Sequence, residues 1–134
     1  GNFSPSDYAD SMKTKFEEIY EVQEDFENLI IKKSSAWPDK LVKDFNEKEK
    51  VALSKELALL LNLEISEFIC AVGNYKHHKT TPDGKGIKEV KKEIADMFIF
   101  VLNMALTHGM TAEELLNEVI EKQQINFDRQ KNGY

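Results

Sequence analysis

Two pairs of carboxylates with the same spacing are the residues best placed to do chemistry. Glu64 and Glu67 lie inside the hydrophobic run 57–72, and Glu93 and Asp96 lie at the mouth of a second run, 97–106. Residues i and i+3 share a helix face, so each pair points in one direction. A carboxylate in apolar surroundings is costly to ionise, and four converging carboxylates repel one another. A hard divalent cation removes both costs. Mg²⁺ takes oxygen ligands and keeps waters that substrate phosphates replace, and Mn²⁺ suits the same donors. Paired acids at this spacing are also common on solvated helix faces. A metal site is favoured because both pairs fall in the two most apolar segments, separated by residues 68–92. A di-iron carboxylate bundle would instead need Glu-x-x-His on two helices. The residues three positions before His77, His78 and His108 are Asn74, Tyr75 and Ala105, so that chemistry is excluded.

A second group suits an anion. Lys122, Asn126 and Arg129 are spaced four and three apart and share one face of a helix. Lysine supplies a mobile point charge, arginine a rigid fork of donors, and asparagine an amide that bonds sugar or phosphate. Asn103 and Phe100 lie seven and four residues after Asp96, on its face, and an asparagine in so apolar a helix is expected to have a polar task. Cys70 reads as a small buried apolar residue, and His108 beside Gly109 as a partner of a helix C-terminus.

Together these residues resemble the all-α nucleoside triphosphate pyrophosphohydrolases, the MazG-like proteins and the dimeric dUTPases. The doubled motif Glu64-x-x-Glu67 and Glu93-x-x-Asp96 carries the resemblance first. The segment 122–134 is similar to the Lys-x3-Asn-x2-Arg-Gln-x2-Gly-Tyr signature of the dUTPase branch. Tyr75-Lys76-His77-His78-Lys79 resembles that branch's aromatic-Lys-x-aromatic-Lys segment, with His78 at the second aromatic. Val22-Gln23-x-x-Phe26 followed by Trp37 resembles its base-contacting glutamine region. The chain departs from the branch at Cys70, Ala71 and Ile99, which leaves the base open. The resemblance implies Mg²⁺-dependent cleavage of a (deoxy)nucleoside triphosphate to the monophosphate and pyrophosphate, with dUTP-like or dCTP-like substrates and a role in cleaning the nucleotide pool. Glu64, Glu67, Glu93 and Asp96 would be the metal-binding and catalytic acids. Gln23, Tyr75, Lys76, Asn103, Lys122, Asn126 and Arg129 would bind substrate. A phosphoribosyl-ATP pyrophosphohydrolase would share the acidic motif, and a non-catalytic helical dimerisation module would need no shared pocket.

The elements that must position these residues are helices. The 134 residues suit one domain, 1–134, and only six glycines and three prolines are available for turns, too few for a β-sandwich or barrel. Periodicity gives long helices over about 7–33, 49–74, 87–108 and 111–129, with a short one over 40–45. In the first helix Tyr8, Met12, Ile19, Val22, Phe26 and Leu29 form the apolar stripe, widened by Phe16, Tyr20 and Ile30. The stretch 80–86, Thr-Thr-Pro-Asp-Gly-Lys-Gly, is turn-coded, and lysines 76, 79, 85 and 88 surround it. The expected fold is an all-α, four- to five-helix bundle of the nucleoside triphosphate pyrophosphatase type. The runs 57–72 and 97–106 are apolar almost all round, so both should be buried, partly in a homodimer or homotetramer interface. A net charge of −6 argues against nucleic-acid and membrane-surface binding. No apolar run is long enough to span a bilayer, no basic-then-apolar leader opens the chain, and a single cysteine suits a reducing cytoplasm.

Overall fold

The computed structural model describes residues 5–74, 78 and 83–133, and the regular structure among them is helical. Helix α1 spans Pro5–Lys33, a 3₁₀ turn spans Val42–Asp44, and α2, α3 and α4 span Glu47–Val72, Ile87–Thr107 and Ala112–Lys131. The expected short helix contracts to the 3₁₀ turn, whose Val42 N–H donates to Asn28 Oδ1 at 2.9 Å. Asn46 begins α2 with a reciprocal cap: its Oδ1 accepts from the Glu49 N–H, while Glu49 Oε1 accepts from the Asn46 N–H. Thr111 begins α4 by accepting from the Glu114 N–H.

Helices α2 and α3 form an antiparallel pair. Ser54 near the start of α2 bonds His108 at the end of α3, and the Lys85 N–H ahead of α3 donates to Ala71 O at 2.9 Å. The turn between them is pinched at its neck. Gly73 has φ +72°, and a Cβ there would lie 2.3 Å from the Gly84 nitrogen, so this close approach requires glycine. Beside it the Asn74 N–H donates to Asp83 Oδ1, and the Asp83 N–H donates back to Asn74 Oδ1 at 3.2 Å.

The core has two centres. Ile31, Val42, Phe45, Leu53 and Leu57 form one, with Trp37, Phe100 and Met104 packed against it. Tyr20, Leu102, Ala105 and Leu106 form the other, and the Tyr20 hydroxyl donates to Met110 O at 2.6 Å. Burial and the neighbouring Glu24, Glu27 and Glu114 push the Tyr20 phenol up to about 12.

Two packing expectations are corrected. The buried face of α1 runs through Tyr20, Gln23, Glu27 and Ile31, whereas Ile19, Val22, Phe26 and Leu29 are exposed. Hydrophobicity alone favoured the second stripe, but α3 and the 3₁₀ turn pack against the first. Cys70, expected to be buried, is exposed, and on the single chain Leu59, Leu63 and Ile69 of α2 and Phe98 and Val101 of α3 are exposed as well. Helix α4 packs on α1 and has no buried residue, and its axis turns 112° from that of α3. No single helix among the described residues is long and apolar enough to cross a membrane.

Candidate active site

The antiparallel pairing of α2 and α3 sets the two acidic motifs against each other. Each of Glu64, Glu67 and Glu93 offers a carboxylate oxygen within 4.8 Å of the others. Asp96, exposed on the same face one turn beyond Glu93, is close enough for its charge to act on both Glu64 and Glu93. Glu64 and Glu93 are half-buried, and Glu67 is exposed. Loss of hydration pushes the Glu64 carboxyl above its ordinary value, and the charges of Glu67, Asp96 and Glu93 add to the effect. Glu93 is raised for the same reasons, desolvation first and then Glu67 and Asp96. Glu64 Oε2 and Glu93 Oε2 are buried without a hydrogen-bond partner, and no lysine or arginine pairs with them among the described residues. Hard oxygen donors at this separation, two of them orphaned, fit a divalent cation such as Mg²⁺ or Mn²⁺.

A cavity of about 340 Å³ opens one helical turn from these acids. Leu60, four residues before Glu64, and Phe100, four after Asp96, line it, together with Glu27, Trp37, Leu57 and Asn103. Trp37 is half-buried and stacks on Phe45 with ring centroids 6.4 Å apart. Gln23 and Asn103 come together at this end of the site: Gln23 Nε2 donates to Asn103 Oδ1 at 2.8 Å. The polar task expected of Asn103 is therefore met by α1.

Glu27 is an acid of the cavity wall that the sequence reading missed. Only 6% of it is exposed, both carboxyl oxygens are buried, and neither has a hydrogen-bond partner. The adjacent Thr107 hydroxyl donates to Asn103 O at 2.7 Å instead. Burial pushes the Glu27 carboxyl from an ordinary 4.5 up to about 8; the nearby Thr107 hydroxyl opposes this in part, and the charge of Glu24 adds to it. Its signal in the sequence is its place four residues after Gln23 and four before Ile31, on the face that packs inward.

The remaining predicted residues are not gathered here. Lys122, Asn126 and Arg129 are exposed on α4, which packs on α1 and not along the α2–α3 pair that carries the acids. Tyr75 and Lys76 lie outside the described residues.

The arrangement is thus a cluster of metal-type acids beside a base-sized cavity walled by aromatic and aliphatic side chains. A 46-residue stretch, 34% of the chain, is 50% identical to the dCTP pyrophosphatase of Enterobacteria phage T4, and covers 27% of that protein. No solved structure matches the chain. Residues 15–112 match the family model described as dUTPase, a span that takes in the four acids, Gln23, Glu27 and Asn103, and the chain belongs to that family.

Proposed function

We propose that the protein is a nucleoside triphosphate pyrophosphohydrolase acting on pyrimidine deoxynucleotides of the dUTP or dCTP type, with Mg²⁺ or Mn²⁺ held by Glu64, Glu67, Glu93 and Asp96. The observation that carries this reading is the set of three carboxylate oxygens within 4.8 Å of one another, beside the cavity. When bound, the cation supplies charge neutralisation for the phosphates and acidifies a water. In the reaction, a water oxygen forms a bond to phosphorus as a bridging P–O bond breaks, releasing the monophosphate and pyrophosphate. A carboxylate of the cluster, Glu64 or Glu67, takes the proton of that water. The cavity receives the base, while Trp37 and Phe100 provide flat apolar walls and exclude solvent.

Lys122, Asn126 and Arg129 neutralise phosphate charge in this reading, with Tyr75 and Lys76 as further substrate contacts. Since α4 packs chiefly on α1, these residues serve the site of another copy in a homodimer or homotetramer. The exposed apolar residues of α1 and α2 support such an assembly: Val22, Leu59 and Leu63 are 67%, 61% and 55% exposed. The exposed thiol of Cys70 fits a reducing cytoplasm. Two names with pyrimidine substrates, a family and a relative, favour this reading over a phosphoribosyl-ATP enzyme, and the orphaned carboxylates favour it over a scaffold. The test is pyrophosphate release from the eight common ribo- and deoxynucleoside triphosphates with Mg²⁺. Release from dCTP or dUTP is expected, and no release from any of them would overturn the reading.

A further inference from the structure

We propose that Glu27, buried in the wall of the cavity, is a specificity-determining residue that reads the N3–C4 edge of the pyrimidine and lets the site take both cytosine and uracil. The inference rests on the pyrimidine-nucleotide reading above.

Three observations carry it. Glu27 lines the cavity next to the acid cluster, only 6% of it is exposed, and neither of its oxygens makes a hydrogen bond of normal geometry, with the Thr107 hydroxyl as the polar group nearby. A buried polar group left unpaired costs free energy and is rare in folded proteins, so a ligand that pairs with it recovers that cost. The surroundings also fix its form. Leu57, Leu60 and Phe100 offer no charge, and the bonded Gln23–Asn103 pair is neutral. The titratable groups about it are Tyr20 and Glu24 on its own helix and Glu56 from α2, while α3 brings only neutral side chains to the cavity. No cation among these groups stabilises a carboxylate, and its carboxyl is raised to about 8, so the acid form dominates near pH 7.

A neutral carboxyl presents one O–H donor beside one C=O acceptor. Cytosine presents an N3 acceptor beside a 4-amino donor, and uracil an N3–H donor beside a 4-oxo acceptor. Because the carboxyl proton can sit on either oxygen, the same side chain makes two parallel hydrogen bonds to either base. An ionised carboxylate is acceptor-only and would face the N3 lone pair or the 4-oxo group with a like charge. Asn103 completes the recognition: its Oδ1 is engaged by Gln23, which leaves its amide nitrogen to donate to the ring O2.

The test is direct binding of dCMP and dUMP, measured by calorimetry without metal, so that it does not depend on turnover. Wild type should bind both, with dCMP weakening about tenfold or more between pH 7 and 9.5 as Glu27 ionises. Glu27→Met, which keeps the length and removes both polar atoms, should lose at least tenfold for both ligands while circular dichroism reports a folded chain. Glu27→Gln, a neutral donor–acceptor pair at every pH, should bind dCMP within about threefold of wild type at pH 7 and hold that affinity at pH 9.5. The proposal is overturned if Glu27→Met binds as wild type does, if Glu27→Gln falls as far as Glu27→Met, or if only one of the two bases is bound. Intact binding without pyrophosphate release from dCTP or dUTP would overturn the hydrolase reading and leave the base contact standing.

Discussion

Gln23 on α1 and Asn103 on α3, 80 positions apart in the chain, are joined side chain to side chain by a 2.8 Å hydrogen bond. Gln23 is 8% exposed, so this amide pair holds the two helices together through a largely desolvated contact, where a hydrogen bond is strongest. One turn further along α1 comes Glu27, and one turn before Asn103 on α3 comes Phe100, both in the cavity wall. The bond therefore fixes how the cavity sits beside the acid cluster.

Removing one acid should separate chemistry from folding. Asp96→Asn keeps the shape of an exposed side chain and deletes its charge, so packing survives while a metal-type donor weakens. Pyrophosphate release should drop at least tenfold, with an unfolding midpoint close to that of wild type. A variant with wild-type turnover would exclude Asp96 from the site.

Mg²⁺ should stabilise the fold through the same residues. It has a site in the folded chain and none of comparable geometry in the unfolded one, so at a hundredfold excess over Kd it adds roughly 2.7 kcal/mol. For a domain of this size roughly 1 kcal/mol moves Tm by a few degrees, so a rise of several degrees is expected in a thermal scan. Asp96→Asn should lose most of that rise. A wild-type Tm indifferent to millimolar Mg²⁺ and Mn²⁺ would remove the metal from the mechanism.

Glu27 also predicts a pH dependence of stability. Its carboxyl titrates at about 8 in the folded chain against an ordinary 4.5, so the folded state holds the proton more tightly than the unfolded one. Its contribution is fully favourable below pH 4.5, is lost progressively as pH rises to about 8, and is constant above that. Glu64 and Glu93 shift in the same direction, so the quantity to measure is the difference between wild type and Glu27→Gln in urea unfolding at pH 5, 6.5, 8 and 9. That difference should grow in favour of Glu27→Gln up to pH 8 and then level off. A difference that does not change with pH would show that Glu27 is already ionised in the folded protein.

Assembly is open to a simple measurement. Light scattering at micromolar concentration should give a dimer or tetramer, and Leu63→Glu, placed on the exposed apolar face of α2, should reduce it to smaller species. A wild type that scatters as a monomer would leave the α4 residues without a site to serve.

Most of the fold was legible in the sequence because long periodic segments, caps and turn residues act locally. Asn46 with Glu49 and Thr111 with Glu114 sit within a turn of the boundary they set, whereas Gly73 ends α2 just short of the expected bound at 74. The acids were legible for the same reason, since a three-residue spacing decides which face a pair shares. Burial on α1 was not. Val22 and Phe26 are more hydrophobic than Gln23 and Glu27, yet the latter pair is inside. That outcome depends on what α3 brings across, Asn103 to bond Gln23 and Thr107 beside Glu27, and no local pattern encodes it. The placement of α4 escaped for the same reason, since its face of Lys122, Asn126 and Arg129 says nothing of the element it will pack on.

The pinched neck between α2 and α3 works as a bracket. Gly73 against Gly84, and Asn74 bonded both ways with Asp83, tie the two helix ends together before residues 75–82 begin. The register that brings Glu64 and Glu67 to Glu93 is thereby set by the bracket and by the helices, not by the length of what lies between. Doubling the inserted stretch would cost only about 0.6 kcal/mol of closure entropy, so its length can be varied by design while the acids keep their spacing.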